Sequence, residues 1–375
     1  MIFCKECILP NTRPNLFIDS SGICNACINH KKKNNTDWSS RKKKFERLVS
    51  SIKKKNKIYD CLVPVSGGKD STWQIVKCLS YGLKPLAVTW KTPSRTIIGE
   101  RNLNNLINLG VDHLDFQVNP KVESKFMLET FKKFGSTGIP MHMAIFNIPI
   151  KVALKFNIPL IVWGENSAQE YGGQRVDIDS YELNQDWFKK YGVTQGSEPY
   201  DWVSKKLSKK DLGTYQGFEW SDLKKNKIYS IFLGHFFKWD AKNSYEIARK
   251  NGFKSNVKNL KTGIYSHSDI DCDFISIHHW MKWYKFGFTR AMDNLSIEIR
   301  EKRITKRKSL QILKKIKDQK PTKDIKKFCK FVGISEEVFF KIADKHRNKN
   351  IWIKKNNKWK IKNFIIYFYY EIKKS

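Results

Sequence analysis

The sequence predicts an α/β protein with a doubly wound, mostly parallel sheet, a small metal knuckle before it and a mainly helical region after it. Three observations carry this prediction. Between Tyr59 and Trp163, short apolar runs alternate with segments of helical periodicity, the pattern of βα units joined by right-handed crossovers. The first apolar run ends in Ser66-Gly67-Gly68-Lys69-Asp70-Ser71, and a helical segment follows at once. Two C-x-x-C pairs, Cys4/Cys7 and Cys24/Cys27, stand ahead of the first strand. The expected boundaries are 1–55 for the knuckle and an adjoining helix, 56–240 for the sheet domain with a substrate insertion, and 241–375 for the helical region.

The cysteine pairs are separated by sixteen residues, a zinc-binding spacing. Each C-x-x-C turn points two thiolates at one metal, and two turns complete a tetrahedron whose closed shell makes the zinc structural. Two disulfides, or an iron–sulfur cluster, are the other readings. Asp37 reads as an N-cap, with Trp38, Phe45, Leu48, Val49 and Ile52 at helical spacing behind it. This helix is expected to dock the knuckle onto the sheet domain.

Tyr59–Val65 reads as a buried strand and 72–79 as a helix, so the stretch 66–71 is a strand-to-helix turn. Glycines let the backbone approach a ligand closely. The free amides and positive dipole end of the helix favour an anion. Lys69 adds charge, and Ser66 and Ser71 add hydroxyl donors, so the expected ligand is a phosphate or pyrophosphate. The spacing is not that of G-x-x-x-x-G-K-[ST], so γ-phosphoryl transfer is not implied. Further strands are expected at 85–90, 113–118 and 159–163, with helices at 97–109, 122–134 and 143–156. Ligands of such sheets sit beyond the carboxyl ends of the strands, which groups 66–71, Thr89–Trp90 and Gly164-Glu165-Asn166 around one crevice.

Residues 167–230 form no clean series of elements and suit either a substrate-binding lid, with Gly172 and Gly173 as hinges, or a variable surface insertion. A strand running into a loop is expected over 233–240. Helices are expected over 243–251, 274–286 and 305–318, and another from Ile334. His278, His279, Trp280, Trp283 and Arg290 lie on one of these helices and its exit, where core packing is the first reading. Cys61 and Cys78 fall in apolar runs, and Cys272 and Cys329 stand alone. The tail from Ile351 gives no reading, and no internal repeat is found.

The 375 residues suffice for two or more domains, and 40% hydrophobic with 13% aromatic residues exclude a disordered chain. No run approaches the length of a spanning helix, and the start Met1–Cys7 lacks the apolar core of a signal peptide, so a cytoplasmic protein is expected. The net charge of +35 reads either as a polyanion site or as base-composition bias. Lys, Asn and Ile recur in loops and helices alike, and few stretches form an arginine-rich stripe. The bias reading is preferred, and nucleic acid is not an expected partner. The field still favours small anionic substrates.

The six-residue turn resembles the pyrophosphate loop of the ATP pyrophosphatases (the PP-loop superfamily), which grip the β,γ-phosphates of ATP and pass AMP to a substrate. Further motifs narrow the resemblance: Cys4-x-x-Cys7-Ile8-Leu9-Pro10-Asn11-Thr12-Arg13-Pro14, Gly22-Ile23-Cys24-x-x-Cys27, Asp37-Trp38, Trp163-Gly164-Glu165-Asn166, Leu233–Asp240, Lys285–Arg290 and Ile297–Arg300. Together they are similar to the N-acetyl sugar amidotransferases of bacterial surface-glycan synthesis, the WbpG/PseA type. The resemblance implies an AMP- and pyrophosphate-forming C–N ligase of lipopolysaccharide O-antigen or pseudaminic/legionaminic-type glycan synthesis. In this reaction ATP adenylylates the oxygen of a sugar acetamido group, and ammonia then converts it to an acetamidino group. ATP, Mg2+ and structural Zn2+ are the implied cofactors, and an anionic N-acetylated sugar or nucleotide-sugar is the implied substrate. No glutaminase Cys–His arrangement is read, so a separate glutaminase, with or without a cyclase-like channel subunit, is the implied ammonia source. Ser66, Gly67, Gly68, Lys69, Asp70 and Ser71 would hold the phosphates, with Thr89, Gly164 and Asn166 completing the nucleotide site. Lys69 would stabilise the leaving pyrophosphate and Asp70 would take magnesium. Glu165 would act on substrate or metal, and it shares the candidacy for general base with His142 and His235. The alternative is a tRNA-modifying enzyme of thiolase type on the same fold.

Overall fold

The structure is a computed structural model that describes residues 1–257, 260–316, 319–356 and 358–366. Its centre is a five-stranded sheet of β1 (Cys61–Pro64), β2 (Pro85–Trp90), β3 (Asp112–Phe116), β4 (Leu160–Trp163) and β5 (Tyr229–Phe232). The strand order is β3-β2-β1-β4-β5, and each neighbouring pair runs parallel. The order reverses between β1 and β4, so the sheet is doubly wound and its switch point lies at the carboxyl ends of those two strands.

Alternation along the strands explains the two layers. Leu62, Leu86, Val88, Ile161 and Trp163 face a core shared with helices Pro120–Phe134 and Ile139–Lys155. Cys61, Val63, Ala87, Leu160 and Val162 face the opposite core, with Trp73, Ile75, Leu103 and Leu106 from helices Lys69–Ser80 and Ile97–Ile107. Such strands are buried on both sides, which is why they read as continuous apolar runs.

Asp37 caps helix Trp38–Lys53, accepting the Ser40 N–H at 2.9 Å. The helix does not dock the knuckle. Its buried Phe45, Val49 and Ile52 join the sheet core, where Phe45 meets Phe236 and Phe237 at ring distances of 5.5 and 5.2 Å. The knuckle instead shares a third core with the C-terminal region, including Trp283, Met292, Leu295, Leu310 and Trp352. Ile8, Leu9 and Leu16 are apolar enough to need that cover.

Segment 167–230 was expected to be a lid and is packed down instead. It folds into short helices and turns, and its Trp187, Phe188, Trp202, Leu212 and Tyr215 enter the main core, because aromatic area of that size is costly to leave in water. Gly172 is no free hinge either: with φ of +102°, it lies so close to the knuckle that a Cβ would meet Asn25 Oδ1 at 2.8 Å. The expected strand over 233–240 is displaced. The strand is β5, and Leu233–Phe236 makes one helical turn beyond it. In the C-terminal region, helices Ala241–Lys250, Ile275–Phe286, Arg290–Arg300, Lys306–Ile316, Thr322–Val332 and Glu336–Lys345 lead to an antiparallel pair, Trp352–Lys355 with Lys358–Ile361. The last two residues of the helix expected over 305–318, and the tail from residue 367, lie outside the described residues.

Candidate active site

β1 ends at Pro64, and the chain turns through Val65–Gly68 into helix Lys69–Ser80. Gly67 makes this turn possible. Its φ is +79°, and a Cβ there would stand 2.5 Å from the Leu103 backbone nitrogen, so no larger residue fits. Gly68 occupies the N-cap position with no side chain over the first turn, and the opening amides of the helix are left for a ligand. Ser71 Oγ and Thr72 Oγ1 each donate to Gly68 O at 3.0 Å, which fixes the turn from within. Lys69 is 6% exposed and pairs with Asp70, and its ammonium stands 5.5 Å from the centre of the Trp239 ring. Trp239 Nε1 donates to the other Asp70 oxygen at 2.9 Å.

The loop opens into a crevice of about 430 Å³ at the switch point, within the range of small-ligand sites. Ser66, Gly68, Lys69, Asp70 and Ser71 line it, with Thr89 from the end of β2 and Gly164 and Glu165 from the end of β4. Thr89 Oγ1 is engaged by His113 Nε2 at 2.9 Å. Asn166 was expected beside Glu165, but its side chain is used elsewhere. It accepts from Ala168 N and Trp187 Nε1 at 3.0 Å and donates to Asp177 O at 2.9 Å, bracing the packed segment instead.

Glu165 stands out among the proposed bases. Burial, and then the nearby Asp70 charge, push its carboxyl up to about 7, with Lys69 opposing. His142 lines the crevice too, but burial lowers it to about 4 and its Nδ1 bonds Gly138 O at 2.7 Å. The ring therefore stays neutral at pH 7. His235 lies outside the crevice lining, packed on Tyr181 and Phe236, and burial likewise lowers it to about 4.

Sequence reasoning missed the roof. Tyr265, His267, Asp269 and Asp271 from the C-terminal region, with Arg290 and Asn294, cover the phosphate loop. The roof is pinned to the segment after β2, where Thr96 N donates to Asp271 O and Asp273 N to Ser94 O, both at 3.0 Å. Burial pushes the Asp271 carboxyl up to about 6, opposed in part by a hydrogen bond from Ser66. The available signal was the run Tyr265-Ser266-His267-Ser268-Asp269-Ile270-Asp271-Cys272-Asp273, with acids at alternate positions.

A second chamber, of about 540 Å³, lies behind the crevice. His142, Glu165, Tyr171, Asp269, Ile275 and Arg290 line both spaces and form their common wall.

The knuckle braces this site. Lys33, on the helix that begins just after Cys24, is 2% exposed. Its ammonium donates to Glu170 Oε1 at 2.5 Å and to Trp239 O at 2.7 Å. Arg13, between the cysteine pairs, bonds Asp293 at 2.8 Å and Tyr171 O at 3.0 Å. The four thiols suit zinc. They are buried and lie within 4.8 Å of one another, with Sγ–Sγ distances of 3.9 Å for Cys4–Cys27 and 3.7 Å for Cys7–Cys24. A tetrahedral ZnS4 centre with bonds of about 2.3 Å sets its sulfurs about 3.8 Å apart. Cys7 N and Cys24 N approach Cys4 Sγ at 3.5 and 3.3 Å, as amides do around a bound thiolate. Four thiols this close cannot all ionise without a cation. Contact with Cys24 and its neighbours pulls the Cys4 thiol down, while the same kind of contact pushes Cys27 up.

Residues 245–365 match the family described as LPS biosynthesis protein WbpG-like, C-terminal domain. Two solved structures show a loose likeness. One is a predicted subunit of tRNA methyltransferase from Methanocaldococcus jannaschii, 15% identical, covering 64% of this chain and 91% of that chain with a TM-score of 0.30. The other is NMN synthetase from Francisella tularensis, 13% identical, covering 60% and 100% with a TM-score of 0.27. No curated protein matches.

Proposed function

We propose, from the match of residues 245–365 to the WbpG-like C-terminal domain family, that this chain is an ATP-dependent amidotransferase that turns a sugar acetamido group into an acetamidino group. The observation that carries the reading is the Ser66–Ser71 loop at the switch point, roofed by that same C-terminal region. The loop supplies free helix amides and a lysine for a pyrophosphate. The common wall beside it supplies a carboxyl poised near neutrality.

The proposed chemistry runs in two displacements. The acetamido oxygen attacks the α-phosphorus of ATP, forming an O–P bond as the bond from the α-phosphorus to the bridging oxygen of pyrophosphate breaks. Lys69 and the loop amides hold the leaving pyrophosphate by charge already in position. Ammonia then adds to the imidate carbon, AMP leaves with the former amide oxygen, and a C=N bond remains. Glu165 accepts the proton that ammonia gives up. Asp70 would hold the magnesium that screens the phosphates. Cys4, Cys7, Cys24 and Cys27 would hold a structural zinc, which takes no part in either displacement. Ammonia comes from a separate glutaminase.

The thiolase alternative needs an activated cysteine at the crevice. Cys272 does line it, but its sulfur is held against Thr92 Oγ1 at 2.8 Å and burial pushes the thiol up to about 12. A thiol so rarely ionised is a poor nucleophile. The discriminating experiment incubates the protein with ATP, Mg2+, ammonium and a panel of N-acetylated acidic sugars. The expected result is AMP and pyrophosphate in equal amounts, dependent on both sugar and ammonium. Release stimulated by tRNA alone would overturn the reading.

A further inference from the structure

The second chamber carries more positive charge than its own carboxylates neutralise. Arg13, Lys189, Lys190, Lys282, Lys285 and Arg290 line it, against Glu165, Asp269 and Asp293. Four of the cations are already paired: Arg13 with Asp293 at 2.8 Å, Arg290 with Asp269 at 2.9 Å, Lys190 with Asp177 at 3.3 Å and Lys189 with Glu198 at 3.4 Å. Lys282 and Lys285 are not. Neither ammonium forms a hydrogen bond or ion pair among the described residues, and the Lys285 ammonium stands 5.2 Å from the centre of the Phe286 ring. Both lysines are half-buried along the chamber wall, and burial lowers each to about 8. An unpaired cation in such a place is costly unless a ligand completes it.

The helix that carries them explains their direction. On Ile275–Phe286, Ile277, Trp280, Met281 and Trp283 are buried, as the sequence suggests for the two tryptophans. His278, Lys282, Lys285 and Phe286 follow at helical spacing and line the chamber. Core packing therefore accounts for one face of this helix, and for His278 and Phe286 on the other, but not for the two lysines. Burial holds both His278 and His279 well below the usual imidazole range, so they add donors and acceptors to the chamber but no charge.

We propose that the second chamber is the acceptor site, and that Lys282, assisted by Lys285, anchors an oxyanion of the acceptor while its reacting amide lies at the common wall beside Glu165. This deepens the proposed function and rests on it for the identity of the reacting group. The anchoring oxyanion is either a sugar carboxylate or the diphosphate of a nucleotide-sugar, since both offer charge-assisted bonds to an ammonium.

Binding without turnover separates this proposal from the reaction itself. Calorimetric titrations of the full chain would use an N-acetylated uronic acid, a UDP-linked N-acetylhexosamine and neutral N-acetylglucosamine. The wild type is expected to bind at least one of the two anionic probes, and Lys282→Met to weaken that binding about ten- to a hundredfold. Lys282→Arg should restore most of it, and ATP affinity should stay within about twofold in both variants, which shows the crevice intact. Loss confined to the uronic acid assigns the carboxylate, and loss confined to the UDP-sugar assigns the diphosphate. The proposal is overturned if neither anionic probe binds the wild type, if Lys282→Met binds them as tightly as wild type, or if the neutral sugar loses as much affinity. Pyrophosphate release that fails while Lys282-dependent binding persists would count against the amidotransferase reading alone.

Discussion

Lys69→Ala is expected to lower sugar- and ammonium-dependent pyrophosphate release by about a hundred- to a thousandfold, the usual loss when one preplaced charge or donor is removed from a transition state. Lys69 is nearly buried at the mouth of the loop, with Asp70 and the Trp239 ring as its neighbours. Neither neighbour can replace a cation against a departing pyrophosphate. The fold should survive, because the turn is fixed by Gly67, Ser71 and Thr72 rather than by the lysine. A steady-state pyrophosphate assay beside a thermal melt reads both quantities. Undiminished release from a folded Lys69→Ala protein would remove the loop from the mechanism.

Cys24→Ser should have an effect of similar size by another route. The wild type is expected to carry about one zinc per chain and the variant almost none, because structural zinc needs its full thiolate set. Binding of such a zinc is worth on the order of 10 kcal/mol, comparable to the whole stability of a domain. The loss would spread beyond the knuckle, since its cysteines share a core with Trp283, Met292 and Leu295. Lys33 and Arg13 would lose the geometry that steadies Glu170, Trp239 and Asp293. Breaking the buried Lys33–Glu170 pair alone costs about 3–5 kcal/mol. Elemental analysis and melting of the purified variant test this. Full zinc content with an unchanged melt would contradict it.

What could be read from the sequence was local chemistry. The phosphate loop needs six consecutive residues in one backbone shape, and each cysteine turn needs four, so both leave short signatures. Glu165 was found because the carboxyl end of an apolar run marks the mouth of a parallel sheet. Asn166 was placed beside it by adjacency, but one residue further on the chain has entered a helix and the side chain serves as its cap. The roof left only a weak trace. Tyr265, Asp271 and Arg290 reach the loop through packing that joins residues about 200 positions apart, and no period or spacing encodes that. Helix Trp38–Lys53 was recognised but given the wrong neighbour. Amphipathicity tells that a face is buried, not against what. The cationic side of helix Ile275–Phe286 was hidden for a related reason: the two tryptophans dominate its pattern and mark only its core-facing side.

The central claim is that the acceptor's amide oxygen is adenylylated in the crevice. The direct measurement starts from an acceptor labelled with 18O in its acetamido oxygen and turned over with ATP and ammonium. Mass spectrometry of the products is predicted to find one 18O atom in AMP and none in pyrophosphate. AMP free of label, or label released into water or inorganic phosphate, would contradict the account.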